Sequence, residues 1–560
     1  MAKSSKQRAL VLQGGGSLGA YEAGVFEVLY YWIKKDTDDN ENVFDVVAGT
    51  SIGAINAAFL LSYVIKRRRE ENKNAGESWK GSAEELEEFW KSRLASNTNL
   101  NKWWPFSWDE KLWTSAWDIL STTNPFAATG EAARRYYSAK EFIISGASNV
   151  FLPNLPPKID SKFFDNFIVP NIWYRYDNSR LKETMKDAIR FPIGTSPDEP
   201  RLLAISVDVE EGETVTFDSY VGKSEYGDYK PGTDRKNGTY ERTIKYDKGI
   251  MVEHILASAS VPEHYDYTLV PKEYDYTKTE EEKLVDIEDY NLEDYSRFWD
   301  GGVLSNTPLR ELIQSHKDYW KTVENKTDSE STIPKLEVYI IDIWPSVDGY
   351  PVPSDLDGIR DRKNDLTYQD VTPYDEKVAN MISDYYNFSG ALMKLAERKG
   401  ASKAEIDTIL DMPSKSSHRT GELRRYRDLV NEDERFEITK IIRIERSADI
   451  NDIANKWCDF SLGTISKLFE QGTLDALKTL AKEIMIDAAR KERKHLAKED
   501  IKSKSIPPAR EHLDLFISYA KKQGVNYDLI RSAESVRSML QELMDQLIRE
   551  GYIQIKVGDR

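Results

Sequence analysis

Cysteine is nearly absent: Cys458 is the only one in 560 residues. A lone thiol excludes an intramolecular disulfide framework and fits a reducing compartment. Histidine is scarce as well, with six in all: His254, His264, His316, His418, His495 and His512. There is no His-Glu-x-x-His, no Cys/His ligand spacing and no EF-hand loop, so no metal and no cofactor are expected. A long apolar run is missing too. The most apolar stretch, about Ala54 to Ile65, is too short and too polar at its ends to span a bilayer. The start, MAKSSKQRALVLQGGG, has no signal-type cleavage region. An excess of positive charge is also lacking. The formal charge of -17 argues against nucleic-acid partners and against strong docking to anionic lipid, leaving room only for local basic patches. The expectation is a soluble, cytoplasmic protein that meets membranes at their surface, if at all.

What is present is an ordinary globular composition, 40% hydrophobic and 31% charged, in a chain long enough for more than one structural unit. The first third alternates strand-like and helix-like segments, which predicts an α/β fold with a mainly parallel central sheet. Ala9–Gln13 reads as a strand, Gly14–Gly19 as a glycine turn and Ala20–Lys35 as a helix. Val43–Ala48 reads as a second strand, Gly49–Gly53 as a sharp turn and Ala54 to about Glu71 as a helix ending in Arg67-Arg68-Arg69. Further strands are expected at Leu202–Val209, Thr214–Tyr220 and Glu337–Ile343. Two Tyr- and Glu-rich stretches, about 222–248 and 273–297, read as polar insertions in a domain spanning 1–345. Residues 346–560 read as a mostly helical C-terminal domain docked on it. Near its end Leu529, Val536, Leu540 and Leu543 recur at helical spacing, a stripe suited to packing or to a homo-oligomer surface. The segment Trp103-Trp104-Pro105-Phe106-Ser107-Trp108, with Trp113 and Trp117, reads either as a satellite core or as a lipid-touching flap.

Three motifs carry chemistry. Gly49-Thr50-Ser51-Ile52-Gly53 is a G-x-S-x-G between an apolar strand and a small-residue helix. That is the setting of a nucleophile elbow, in which glycines Gly49 and Gly53 permit the tight turn that exposes the serine hydroxyl. The helix start behind Ser51 favours negative charge there. Gly14-Gly15-Gly16-Ser17-Leu18-Gly19, also between strand and helix, lets successive N–H groups line one concavity. In an acyl hydrolase such a nest is an oxyanion hole, formed by Gly14, Gly15, Gly16 and Ser17. The third motif, Asp300-Gly301-Gly302, is by itself a good turn sequence that places a carboxylate on a glycine-flanked loop. Asn306 and Pro308 after it read as the cap and first turn of a helix from Leu309 to His316.

Taken together, LQGGGSLGAYEAGV, VVAGTSIGAINA, HILASASVPEHY and DGGVLSNTP resemble the blocks of the patatin-like phospholipase family, in the family's order over about Ala9 to Trp344. The C-terminal part, with Trp457-Cys458-Asp459-Phe460-Ser461 and Glu470-Gln471-Gly472, resembles a less characterised domain found behind bacterial patatin domains. The resemblance implies a three-layer α/β/α hydrolase acting on lipid or membrane-surface esters, with Ser51 as nucleophile and Asp300 as general base, supported by Gly301 and Gly302. Two departures stand out: Leu18 where the family often has Arg or Lys, and Glu263-His264-Tyr265 with a long polar insertion before Asp300. An aspartate of ordinary pKa, about 3.9, facing a hydroxyl near 15.7 would need on the order of 15 kcal/mol to make a free alkoxide. Proton transfer must therefore accompany attack.

Other readings stay open on the sequence alone. A Ser…Asp…His triad would draw on His316, read as a helix-end surface residue, or on one of the last three histidines. Gly14-x-Gly16-x-x-Gly19 also fits a dinucleotide-binding fingerprint, but Asp36, Asp38 and Asp39 precede the second strand instead of closing it. A non-catalytic lipid carrier on the same fold is the remaining alternative.

Overall fold

The structure, a computed structural model, describes residues 6–96, 130–153, 176–222, 241–272, 294–324, 333–345, 352–353, 355–369, 372–413, 425–426, 437–492, 498–525 and 527–549. The aromatic segment around Trp103–Trp108, Trp113 and Trp117, most of both polar insertions, His418 and His495 lie outside the described residues.

The chain opens with β1 (Lys6–Leu12), α1 (Gly19–Lys34), β2 (Val46–Thr50), α2 (Ile52–Glu70) and α3 (Ser82–Glu88). There follow α4 (Gly130–Ser145), the short β3 (Leu152–Pro153) and β4 (Tyr176–Asp177), and α5 (Ser179–Ala188). Next come β5 (Arg201–Asp208), β6 (Glu213–Asp218), β7 (Glu241–Lys245), α6 (Val252–Ser258), β8 (Thr268–Pro271), β9 (Tyr295–Asp300), α7 (Leu309–Glu324) and β10 (Lys335–Asp342). The remainder is α8 (Leu356–Tyr368), α9 (Pro373–Arg398), α10 (Lys403–Leu410), β11 (Ile438–Glu445), α11 (Leu462–Glu492), α12 (Lys498–Gln523) and α13 (Tyr527–Arg549).

The sheet runs β11-β10-β1-β2-β5-β6-β7, parallel from β11 through β5, with β6 antiparallel to β5 and β9 pairing with both β5 and β8. Its central strands are apolar on both faces, as a sheet covered by helices on both sides requires. Period-two alternation divides them between two cores. Leu10, Leu12, Val47, Leu202 and Ala204 face α1, α2 and the C-terminal helices. Ala9, Val11, Val46, Ala48, Leu203 and Ile205 face Leu309 and Leu312 of α7 and Ala379 of α9. The expected three-layer α/β/α arrangement with a mainly parallel sheet is thus present, followed by a C-terminal region rich in helices.

That region is not helical throughout. Ile438, Ile442 and Ile444 are buried as β11 adds a parallel strand beside β10. The region is also pressed closely onto the first helix. A Cβ on Gly24 of α1 would lie 2.1 Å from the Phe469 carbonyl oxygen, and one on Gly472 of α11 would lie 2.2 Å from that of Tyr21. The two helices cross backbone to backbone because each offers a glycine at the contact. The α13 stripe is spent inside the chain: Leu529, Val536 and Leu540 are buried in the larger core. The basic run at the end of α2 is engaged as well, Arg69 with Glu199 at 2.5 Å and Arg68 with Asn42 at 3.3 Å. Among the described residues no helix is long and apolar enough to cross a membrane.

Candidate active site

Parallel strands β1 and β2 end at the same edge of the sheet, where an open α/β sheet places its ligand crevice. The glycine loop follows β1 and Ser51 follows β2. Ser51 is the residue before α2 and holds φ 56° and ψ -122°. Such a backbone is strained for a non-glycine residue, by on the order of 1–3 kcal/mol. It is the conformation that turns the chain sharply from strand to helix. The turn closes on itself: a Cβ on Gly49 would lie 2.3 Å from the Gly53 carbonyl oxygen. The Ser51 N–H donates to Ser258 Oγ at 2.9 Å, and Thr50 Oγ1 donates to the Ser305 carbonyl at 3.0 Å. Ile52, the first residue of α2, carries an N–H that no helical carbonyl can reach.

Asp300 arrives from the other direction, at the end of β9, on a 3-10 turn formed by Gly301–Val303. Its N–H donates to the Ser260 carbonyl at 2.9 Å, and its Oδ1 accepts from the Gly302 N–H at 2.7 Å. Gly301 lies against the Ile205 carbonyl, 2.5 Å from a Cβ placed there. The other oxygen, Oδ2, is buried and accepts no hydrogen bond of good geometry among the described residues. The Ser51 hydroxyl is nevertheless close enough to favour the carboxylate. Catalytic hydrogen bonds are often long before substrate binds and tighten afterwards. Burial pushes the Asp300 carboxyl up to about 7, against the opposing pull of Ser51 and the Gly302 N–H. The ordinary aspartate value does not hold here, because the group has been taken out of water.

The glycine loop packs directly on the elbow. A Cβ on Gly14 would sit 3.0 Å from Ser51 Cβ and 2.5 Å from Asn306 Oδ1. The Gly14 N–H is taken by the Asn306 carbonyl at 3.2 Å. Among the described residues, no partner takes the N–H of Gly15 or Gly16. Gly16 has φ 58°, which glycine adopts without cost. Ser17 is buried and its hydroxyl donates to the Lys456 carbonyl at 2.8 Å. Leu18, standing where the resembled family often has Arg or Lys, is buried too.

Several residues of this site were not singled out by motif. Asn306, expected as a helix cap, instead donates from Nδ2 to the Gly14 carbonyl at 3.2 Å and to the Tyr368 carbonyl at 3.0 Å. Its side chain ties the glycine loop to the end of α8, sharing the Gly14 carbonyl with Trp344 and the Tyr368 carbonyl with Gln13 Nε2, and α7 begins at Leu309 without it. Trp344 Nε1 donates to the same Gly14 carbonyl at 2.7 Å. Gln13 bridges the loop to its surroundings, donating to Thr307 Oγ1 at 2.9 Å and accepting from the Ile343 N–H at 2.7 Å. Gln13, Asn306 and Thr307, like Ser258 and Ser260 of HILASASVPEHY, lie inside the family-like blocks, which assign them no role in the site.

The described histidines are occupied elsewhere. His316, expected on the surface, is buried, with Nε2 3.0 Å from the Pro334 carbonyl. The helix continues past it to Glu324, so it is no helix end, and burial lowers its pKa to about 3. His254 is buried against Phe217 and Tyr246, accepts from the Met251 N–H at 2.8 Å, and is likewise lowered to about 3. His264 stacks on Tyr176 and meets Trp457 edge-on, and His512 lies by Trp32. Strand β2 ends in Thr50, with no carboxylate at its tip to hold a ribose. Among the described residues no group of His, Cys, Asp and Glu is arranged to hold a metal ion.

Comparison with known proteins places this geometry in context. A family model described as "Patatin-like phospholipase" matches residues 10–313, more than half of the chain, including the glycine loop, the elbow and the Asp300 turn. Among solved structures, VipD from Legionella pneumophila is 10% identical with a TM-score of 0.24, covering 99% of this chain and 93% of that one. A search of curated proteins found no match.

Proposed function

The chain belongs to the patatin-like phospholipase family, a family of lipid acyl hydrolases, and on that premise we propose that it releases fatty acids from phospholipids or lysophospholipids through a Ser51–Asp300 dyad. The observation that carries the reading is the buried, incompletely bonded Asp300 carboxylate beside a strained serine. Perturbed carboxylates in such settings are candidates for acid–base work.

In this mechanism the Ser51 hydroxyl attacks the ester carbonyl while its proton passes to Asp300 Oδ2. The base sits near 7, so the mismatch with a hydroxyl near 15.7 is about nine units, or about 12 kcal/mol. Burial has narrowed the gap without closing it, and transfer still has to accompany attack. The N–H groups of Gly15 and Gly16, with that of Ile52, take the charge as it forms on the carbonyl oxygen. Collapse expels the alcohol, which recovers the proton from Asp300, and leaves an acyl-Ser51. Water, deprotonated by Asp300, then releases the fatty acid and restores the serine.

The test is fatty-acid release from mixed phospholipid and lysophospholipid vesicles by wild type and Ser51→Ala. Release by the wild type that disappears in a folded Ser51→Ala supports the reading, and the products name the ester cut. Equal release by both would refute it, and none by either would leave a lipid carrier as the better description.

A further inference from the structure

The glycine loop is held from two sides by the C-terminal region, and both holds converge on one buried lysine. On one side, the loop meets the 3-10 turn Lys456–Cys458. Ser17 Oγ donates to the Lys456 carbonyl at 2.8 Å, and the Trp457 carbonyl lies so close that a Cβ on Gly16 would be 2.3 Å from its oxygen. On the other side stands the end of α8. The Tyr368 carbonyl accepts from Asn306 Nδ2, the same atom that donates to Gly14, and its ring packs on Trp344, the second donor to the Gly14 carbonyl.

Lys456 joins the two. Its side chain is 3% exposed, and its ammonium is bound by Asp365 at 2.5 Å and Asp361 at 3.0 Å, both on α8, and by Asp452 at 3.3 Å. It also lies 5.7 Å from the centre of the Trp344 ring. Asp452 is shared with Arg446 at 2.6 Å and with Arg135 of α4 at 3.2 Å. A charge cluster this dry resists change of geometry, because moving any member leaves a buried charge uncompensated. It fixes α8 and the 456–457 backbone relative to each other, and the loop lies between them.

We infer that Lys456 is a positioning residue: its buried carboxylate cage sets the separation of Tyr368 from the Lys456–Trp457 backbone, and thereby the placement of the Gly15 and Gly16 N–H groups against Ser51. The catalytic consequence rests on the dyad reading above; the mechanical hold does not. An oxyanion site displaced by a fraction of an ångström binds ester substrate as before but stabilises the tetrahedral oxygen less.

The experiment compares wild type, Ser17→Ala, Asp365→Asn and Lys456→Arg, with Ser51→Ala alongside. Ser17→Ala cuts the tether without touching the buried charges, so it stays testable if the cage variants fold poorly. Hydrogen exchange is followed in the peptide covering residues 14–18, and kcat and KM are measured on a soluble p-nitrophenyl ester. The expected result is faster loop exchange together with a kcat about 10-fold lower or less still, at a KM within about 2-fold of wild type and an unchanged far-UV spectrum. A defect that was only structural would lower the amount of active enzyme and speed exchange throughout the chain. Exchange and kcat equal to wild type in both Ser17→Ala and Asp365→Asn would overturn the inference. Faster loop exchange in a chain that hydrolyses no ester would sustain the hold and refute the dyad instead.

Discussion

Thr50 and Asp300 pair with consecutive residues on one edge of β5, Thr50 with Ile205 and Asp300 with Ser206. Where β2 leaves that edge to turn into α2, β9 takes it up from the opposite direction. Ser51 and Asp300, some 250 positions apart in the chain, are therefore neighbours by register. The proposed dyad does not depend on loops finding one another. Two strand ends abut along a third strand, and the glycine loop closes the site from β1.

The pH dependence follows from the burial of Asp300. Its folded value of about 7 lies above the ordinary 3.8, and in the proposed role of general base it works only when deprotonated. The ratio kcat/KM on a soluble ester is expected to rise tenfold per pH unit below about 7 and to level off above it. A profile flat from pH 5 to 8 would remove Asp300 as the base.

The same shift predicts a stability effect of opposite sense. A raised carboxyl pKa means that the folded state holds a proton that the unfolded state has given up. The group's contribution to stability therefore falls as pH rises from about 4 to about 7 and is level above that. Asp300→Asn removes this loss. Its gain over wild type should be small near pH 4 and grow to at most about 4 kcal/mol by pH 8, at three units of about 1.36 kcal/mol each. Thermal unfolding of both proteins across that range reads it directly, and activity should fall at least about 100-fold in the variant.

Backbone strain at Ser51 separates two inactive variants. Ser51→Ala keeps the φ of 56° on a residue with a Cβ, whereas Ser51→Gly relieves it at some entropic cost in the unfolded chain. Both should lose activity. Ser51→Gly should match or exceed Ser51→Ala in stability, by up to about 1 kcal/mol in chemical denaturation.

Asn306→Ala removes two hydrogen bonds to loop carbonyls. A loss of stability of about 1–2 kcal/mol is expected, with kcat lowered by about 10-fold and KM little changed. Loss of both stability and KM in proportion would mean that Asn306 supports the fold generally and not the loop.

The parts of the site that the sequence displayed are those with local causes. Glycines at a strand-to-helix turn and an apolar strand on either side belong to short-range chemistry, and both elbow and loop stand where the pattern puts them. Asp300 was a turn by its own sequence and gained meaning only through resemblance, since its register against Ser206 is a long-range fact. At Asn306 and His316 the sequence misleads for a related reason. A helix-cap preference and a polar side chain suggest solvent, whereas tertiary packing gave one to the Gly14 and Tyr368 carbonyls and the other to Pro334. Strand β11, ITKIIRIE, is hidden within a region of helical periodicity because its charges mask an alternation that only pairing with β10 brings out. Lys456 could not be read at all: its meaning lies in three aspartates at positions 361, 365 and 452.

The most direct test of the Ser51–Asp300 account is covalent trapping. Wild type, Ser51→Ala and Asp300→Asn would be treated with a fluorophosphonate at pH 8, and the modified residue mapped by peptide mass. The account predicts one phosphonyl group on Ser51 in the wild type, none in Ser51→Ala, and labelling slowed at least about 100-fold in folded Asp300→Asn. Labelling at another residue, or at Ser51 with undiminished rate in Asp300→Asn, would contradict it.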